Sequence, residues 1–152
     1  MPLAAPPSLE KEHEEIWQLL ANVQRLSGKT GSIAEDLAKP LKLHIDQEES
    51  LALPLLGILK ETAIGRLSAT TAKRAAEIYR KFAKEYSRML EGHKELVKVL
   101  ERLKKVGAEE GHLTAVRFSE KLVSHSQEEE EVLYPAAMLV GSFAAKQSKT
   151  KP

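Results

Sequence analysis

Apolar residues recur along most of this chain every three or four positions, the spacing of helices that each bury one face. Ile16, Leu19, Leu20, Val23 and Leu26 form the first such stripe. It predicts a helix opening after Ser8, an acceptable N-cap, and running to about Ser27, with Gly28 as its stop. After the loop at 28–31, Ser32 and Glu35 have the spacing of a capping box for a second helix. Leu37, Leu41, His44, Glu48 and Leu51 then share one face. Pro40 falls within this run and predicts a kink or a loose first turn. Pro54 closes or bends the helix again, with residues 53–65 continuing as a short helical turn.

Ser68 or Thr70 can cap a long third helix that reaches about Val106, with Gly107 as its stop. Its stripe is Ile78, Phe82, Tyr86, Met89, Leu90, Val97 and Leu100. Gly92 lies mid-helix, where glycine costs about 1 kcal/mol relative to alanine, and is read as close packing against a neighbour. A fourth helix should run from near Glu109 to Tyr134, turning Val116, Phe118, Leu122, His125, Glu129 and Val132 inward. Beyond Pro135 the stretch AAMLVGSFAAK is apolar enough to dock as a short helical extension over 136–146, leaving 147–152 as a frayed tail.

Short loops make sequence neighbours antiparallel. The expectation is therefore an all-α single domain over 1–152, built as an antiparallel up-down-up-down four-helix bundle over about 9–134. The second and third helices should overhang the first, the third spanning most of 72–105. Met138, Leu139, Val140 and Phe143 would cover the overhang, unless a dimer interface does, so the chain is expected to be a monomer or a homodimer.

Composition narrows the chemistry. The 152 residues carry 23 basic and 22 acidic side chains, a net charge of +1, which argues against nucleic acid as a partner. There is no cysteine, so disulfides, thiol catalysis and thiolate metal sites are excluded. Any metal must be held by imidazole and carboxylate, a donor set suited to iron, manganese or zinc. The opening MPLAAPPSLE lacks the basic and apolar regions of a signal peptide. No apolar run approaches roughly 18 residues, so no membrane span is expected. A cytoplasmic location is the expectation that follows.

One repeat carries the chemistry. His44 is followed by Glu48, Glu49 and Pro54, and His125 by Glu129, Glu130 and Pro135, at identical offsets. Residues four apart lie one turn above another on a helix, so each copy points an imidazole and a carboxylate the same way. Counting the rise per residue puts His13 and His44 both about 20 Å from their shared loop, and His93 and His125 about 21 Å from theirs. Each hairpin thus brings its two histidines to one level. Glu49 and Glu130, rotated by about 100° from their neighbours, should face solvent or steady a ligand imidazole from outside. Glu128 and Glu131 read as solvated neighbours. His112 sits about 20 Å along the axis from His125 and reads as solvent-exposed. Two E-x-x-H matches, Glu10/His13 and Glu109/His112, resemble the ferritin-like di-iron pattern but lie at helix starts, where the dipole favours Glu. Trp17 could wall the pocket or be ordinary core. Lys94, Lys98, Lys104 and Lys105, interleaved with Glu95 and Glu101, read as a solvated face.

His13, His44/Glu48, His93 and His125/Glu129 together resemble the hemerythrin-like, or HHE cation-binding, family, over about residues 12–135. The resemblance implies an antiparallel four-helix bundle around two non-haem iron ions. His13, His44, His93 and His125 would be terminal ligands, and Glu48 and Glu129 bridging carboxylates. An oxo or hydroxo group would complete the bridge. Open positions would remain for a small diatomic ligand, dioxygen or nitric oxide. The family's oxygen carriers place two histidines four apart on the third helix; here the positions four from His93 are Met89 and Val97. The set of four His and two Glu is closer to the family's iron-sulfur-repair and sensing branches, although the repair proteins carry a cysteine-bearing segment that this chain lacks. Binding or sensing of dioxygen, nitric oxide or iron without turnover is the leading expectation. The alternatives are a redox enzyme acting on peroxide or nitric oxide, iron-sulfur-cluster repair, and a zinc-holding structural bundle. Which histidines share an ion stays open at this point.

Overall fold

The structure is a computed structural model and describes residues 3–149. Among these residues it is helical throughout, with no strand and no helix long and apolar enough to cross a membrane. The first helix, α1 (Pro7–Gln24), has the extended Pro6 as its N-cap, rather than the expected Ser8, and Pro7 in its first turn, and it ends three residues before Ser27.

The second helix, α2 (Gly28–Leu51), opens four residues before the expected Ser32, so the Ser32–Glu35 capping box is not used. Its free N–H groups are satisfied from far along the chain. Lys29 and Thr30 donate their backbone N–H to the Glu110 carboxylate at 3.1 and 2.8 Å, and the Thr30 hydroxyl donates to it as well. These bonds, the Thr30 side chain foremost, hold the Glu110 carboxyl below the usual carboxylate range. Pro40 is accommodated inside α2, and Pro54 falls in the first turn of α3 (Leu53–Leu56), which α4 (Leu59–Ala63) follows.

The long helix α5 (Ala69–Glu109) has 41 residues and starts where Ser68 accepts the Thr71 N–H at 3.2 Å. It contains the expected 72–105 span but passes through Gly107, which is not a stop. A Cβ there would stand 2.9 Å from the Ala115 Cβ, so Gly107 serves the close approach of α5 to α6 (Leu113–Glu128). Gly111, at φ 78°, makes the turn between them. His112 is half-buried at this turn, 3.1 Å from the Ser27 carbonyl, rather than simply solvated.

The chain does not stop at Tyr134 and restart. After α6 it takes one π turn, Glu129–Leu133, and continues as α7 (Tyr134–Lys149), so 147–149 are helical; the rest of the expected tail lies outside the described residues. Pro135 explains the widened turn. Proline has no N–H to donate, and its ring would strike the carbonyl four residues back in a regular helix. Here the Tyr134 N–H reaches back five residues to the Glu129 carbonyl instead. The extra residue rotates everything after it. Val132, expected inward, is 56% exposed, and Tyr134 is fully buried.

α1 packs against α2 and α6, α2 against α5, and α5 against α6 and α7. The apolar interior has two parts. One, with Ile16, Leu20, Leu37, Leu41, Leu96, Leu100, Phe118 and Leu122, lies among α1, α2, α5 and α6. The other joins α3, the first half of α5 and α7 through Leu53, Leu55, Phe82, Met89, Tyr134, Ala137, Val140 and Ala144. α7 therefore covers the first half of α5, though not by all the expected residues. Val140 is buried and Met138 half-buried, whereas Leu139 and Phe143 point outward at 73% and 48% exposure.

Candidate metal centre

Each of the four histidines lies on its helix at the seam between these two apolar clusters. His13 falls between Leu9 and Ile16, His44 between Leu41 and Leu51, His93 between Met89 and Leu96, and His125 between Leu122 and Leu133. The helical stripes that bury those neighbours carry the imidazoles inward with them. The structure brings together all six residues singled out from the sequence, every one of them buried.

They form two groups that share a carboxylate. His13, Glu48, His125 and Glu129 offer ligand atoms within 4.8 Å of one another, and so do His44, His93 and Glu129. The histidines therefore pair across hairpins, not within them. Glu129 straddles the groups, its Oε1 3.4 Å from His93 Nε2 and its Oε2 3.4 Å from His125 Nε2. Glu48 does the same with one oxygen, 3.6 Å from His13 Nε2 and 3.4 Å from His44 Nε2. The His44 and His93 Nε2 atoms are 2.9 Å apart. Two imidazole nitrogens bound at right angles to one ion, each at about 2.1 Å, would stand about 3 Å apart.

The polar atoms turned toward the middle are not satisfied by the protein. Glu48 Oε2 and both oxygens of Glu129 are buried without a hydrogen-bond partner; the histidine nitrogens around them stand at ion-pair distance. Such orphaned oxygens are expensive in an apolar interior unless a cation meets them. The charges respond to this crowding. Burial opposes a charge on His44 and His125, yet the carboxylates around them, Glu129 first, with Glu48 and, at His125, Glu12, together outweigh it and raise each imidazole to about 9. His13 is raised too, against its burial, chiefly by Glu48. The two carboxyls separate: burial and Glu129 push Glu48 up, whereas Glu129, despite its burial, is held well below the usual range by Glu48 and the surrounding histidines.

Outside this layer, three carboxylates hold the far edges of the imidazoles. His13 Nδ1 meets Glu49 at 3.0 Å, His93 Nδ1 meets Glu130 at 2.9 Å, and His125 Nδ1 meets Glu12 at 2.7 Å. A carboxylate at Nδ1 fixes the ring and leaves Nε2 free to meet a cation. Glu49 and Glu130, expected to face solvent or steady an imidazole from outside, thus each meet an imidazole edge. Glu12 has no signature in the sequence, because a Glu beside a histidine acquires a partner only from the helix opposite. His44 differs: its Nδ1 is buried and has no partner.

Sequence reading also missed Tyr134. Its ring stacks on His93 with centroids 5.4 Å apart, and its hydroxyl stands 3.3 Å from His93 Nε2 and 3.5 Å from His44 Nε2. Burial, with Glu48 and Glu129 nearby, pushes its phenol far above the usual range, so the hydroxyl keeps its proton. Helical periodicity places Val132 here and so conceals Tyr134; only the π turn ahead of Pro135 rotates it in. On the other side of the layer, His44, His125, Glu129 and apolar residues such as Ile16, Leu41 and Leu100 line an internal cavity of about 10 Å³. That is room for about one water-sized molecule.

Comparison of the chain with protein-family models, with curated proteins and with solved structures found no match.

Proposed function

We propose that this protein binds two iron ions in a hemerythrin-like centre and holds a small diatomic molecule there, dioxygen or nitric oxide, as a binding or sensing protein. The observation that carries the reading is the set of three buried, partnerless carboxylate oxygens enclosed by four imidazole Nε2 atoms. The packing of α1 on α2, α2 on α5, α5 on α6 and α6 on α1 is in keeping with the antiparallel up-down-up-down bundle that the resemblance implies.

In this reading His13 and His125 would hold one ion, His44 and His93 the other, and Glu48 and Glu129 would reach both. Bound iron would supply vacant coordination positions and a one-electron redox change at each ion. The protein's own groups do the rest. Glu12, Glu49 and Glu130 orient three of the imidazoles, and the apolar clusters on both sides keep bulk water away. The Tyr134 hydroxyl offers a hydrogen-bond donor beside His44 and His93, and the 10 Å³ cavity offers space for a very small guest.

Purification from iron-rich culture, or anaerobic loading with ferrous iron, tests the reading. Two irons per chain and an optical spectrum that responds to nitric oxide are expected. Trace metal after loading would overturn it. Two tightly held zinc ions would keep the site and discard the redox chemistry.

A further inference from the structure

The two halves of the centre repeat one another, and the repeat is broken at one place. The α1–α2 pair corresponds to the α5–α6 pair: His13 to His93, His44 to His125, Glu48 to Glu129 and Glu49 to Glu130. The orienting contacts follow the same correspondence. His13 Nδ1 meets Glu49 as His93 Nδ1 meets Glu130. His125 Nδ1 meets Glu12, the residue just before His13. By the same rule His44 Nδ1 should meet the residue just before His93, which is Gly92. A glycine has no side chain to offer, and His44 Nδ1 is the imidazole nitrogen left without a partner.

The space for the missing carboxylate is open. A Cβ built on Gly92 would meet nothing within 4 Å. The close packing expected of this glycine is therefore absent. In its place lies a cleft of about 190 Å³ between α2 and α5, lined by Pro40, Leu43, His44, Gln47, Gly92 and Leu96 among others. That is far more room than one water requires. His44 lines this cleft but is only 7% exposed; its Nε2 faces His93, Glu48 and Glu129, so Nδ1, covered and without a partner, is the ring nitrogen left to donate away from the centre. The Gln47 amide offers a second donor, and Pro40, Leu43 and Leu96 give apolar walls. Glu95, also on the wall, is paired with Lys98 at 3.1 Å.

We propose that this cleft binds a short aliphatic monocarboxylate, whose oxygen accepts the His44 Nδ1 hydrogen as Glu12, Glu49 and Glu130 do for the other three histidines, with its alkyl end against Pro40 and Leu43. The site orients His44 from outside and needs no metal in place.

Propionate is the probe, titrated at constant ionic strength into the full chain, both metal-free and zinc-loaded, while histidine side-chain nitrogen resonances are followed by NMR. A ligand of this size should saturate with a dissociation constant of about a millimolar, shifting the His44 nitrogens but not those of His125. Gly92→Glu supplies the carboxylate within the chain and should abolish the propionate shift while retaining the fold. Gly92→Ala adds only a Cβ in open space and should bind as the wild type does. Absence of a saturable wild-type shift would overturn the proposal, whatever the variants do. A shift that survives in G92E would place propionate elsewhere and overturn it too. Metal content measured on the same samples judges the di-iron reading separately.

Discussion

Removing the carboxylates that hold the imidazole edges should weaken metal binding without emptying the site. Glu12→Gln, Glu49→Gln and Glu130→Gln each keep the shape of the side chain and delete its charge. The contacts they alter are short, 2.7 to 3.0 Å, but the three carboxylates are 32 to 46% exposed, so solvent screens part of their field. Loss of such a partner typically reduces metal affinity about 10–100-fold, or about 1.4–2.7 kcal/mol. The metal-free fold should lose less, about 1 kcal/mol or under, because each bond is one partly exposed contact. The two quantities can be measured side by side. Competition with a chromogenic chelator gives zinc affinity, and urea unfolding of the metal-free protein gives stability. All three variants should still bind two ions at saturation. A loss of stability with unchanged affinity would mean that these carboxylates merely brace the helices, and the orienting role would be refuted.

Glu48→Ala and Glu129→Ala should each lose most of the metal, since each carboxylate reaches both histidine groups; elemental analysis showing two ions in either variant would contradict this. Tyr134→Phe should leave the stoichiometry at two but change the affinity for nitric oxide, read from optical titration, because the hydroxyl is the group beside His44 and His93 that it removes. Truncation after Pro135 should strip Ala137, Val140 and Ala144 from the second apolar cluster and yield a less stable, aggregating chain; a truncated protein as stable and monodisperse as the full one would refute that packing. Without metal, stability should decline with rising pH. His44 and His125 are raised from 6.5 to about 9, so their contribution is complete below 6.5 and is lost as pH climbs through about 9. Thermal melts of the metal-free protein across pH 6 to 10 would reveal it, and a flat profile over roughly that range would contradict it.

The residues of the centre were legible in the sequence because they repeat, and because helical periodicity fixes which side of a stripe a residue four places on occupies. The length of α5 followed for the same reason, from an apolar stripe between Ser68 and the region of Gly107. What could not be read depends on contacts between distant segments or on a departure from 3.6 residues per turn. Glu110 caps α2 from 80 positions away, so the locally plausible cap at Ser32 misleads. Gly107 resembles a stop until Ala115 is seen against it. The π turn shifts the register by one residue, which sends Val132 outward and brings Tyr134 in. The emptiness beside Gly92 belongs to the space between two helices and leaves no trace in the pattern of either.

The seam on which the six residues lie bears on how the molecule comes apart. A layer of titratable groups separates the two apolar clusters, and α5 threads through both. Apolar contacts alone join the halves weakly across such a layer, so without ions each half can open at its own free energy. Ions gripped from α1, α2, α5 and α6 would tie the four helices across that plane and merge two unfolding steps into one. Hydrogen exchange should then show amides near Phe82 and near Leu100 protected to different extents in the metal-free chain and to the same extent once it is loaded.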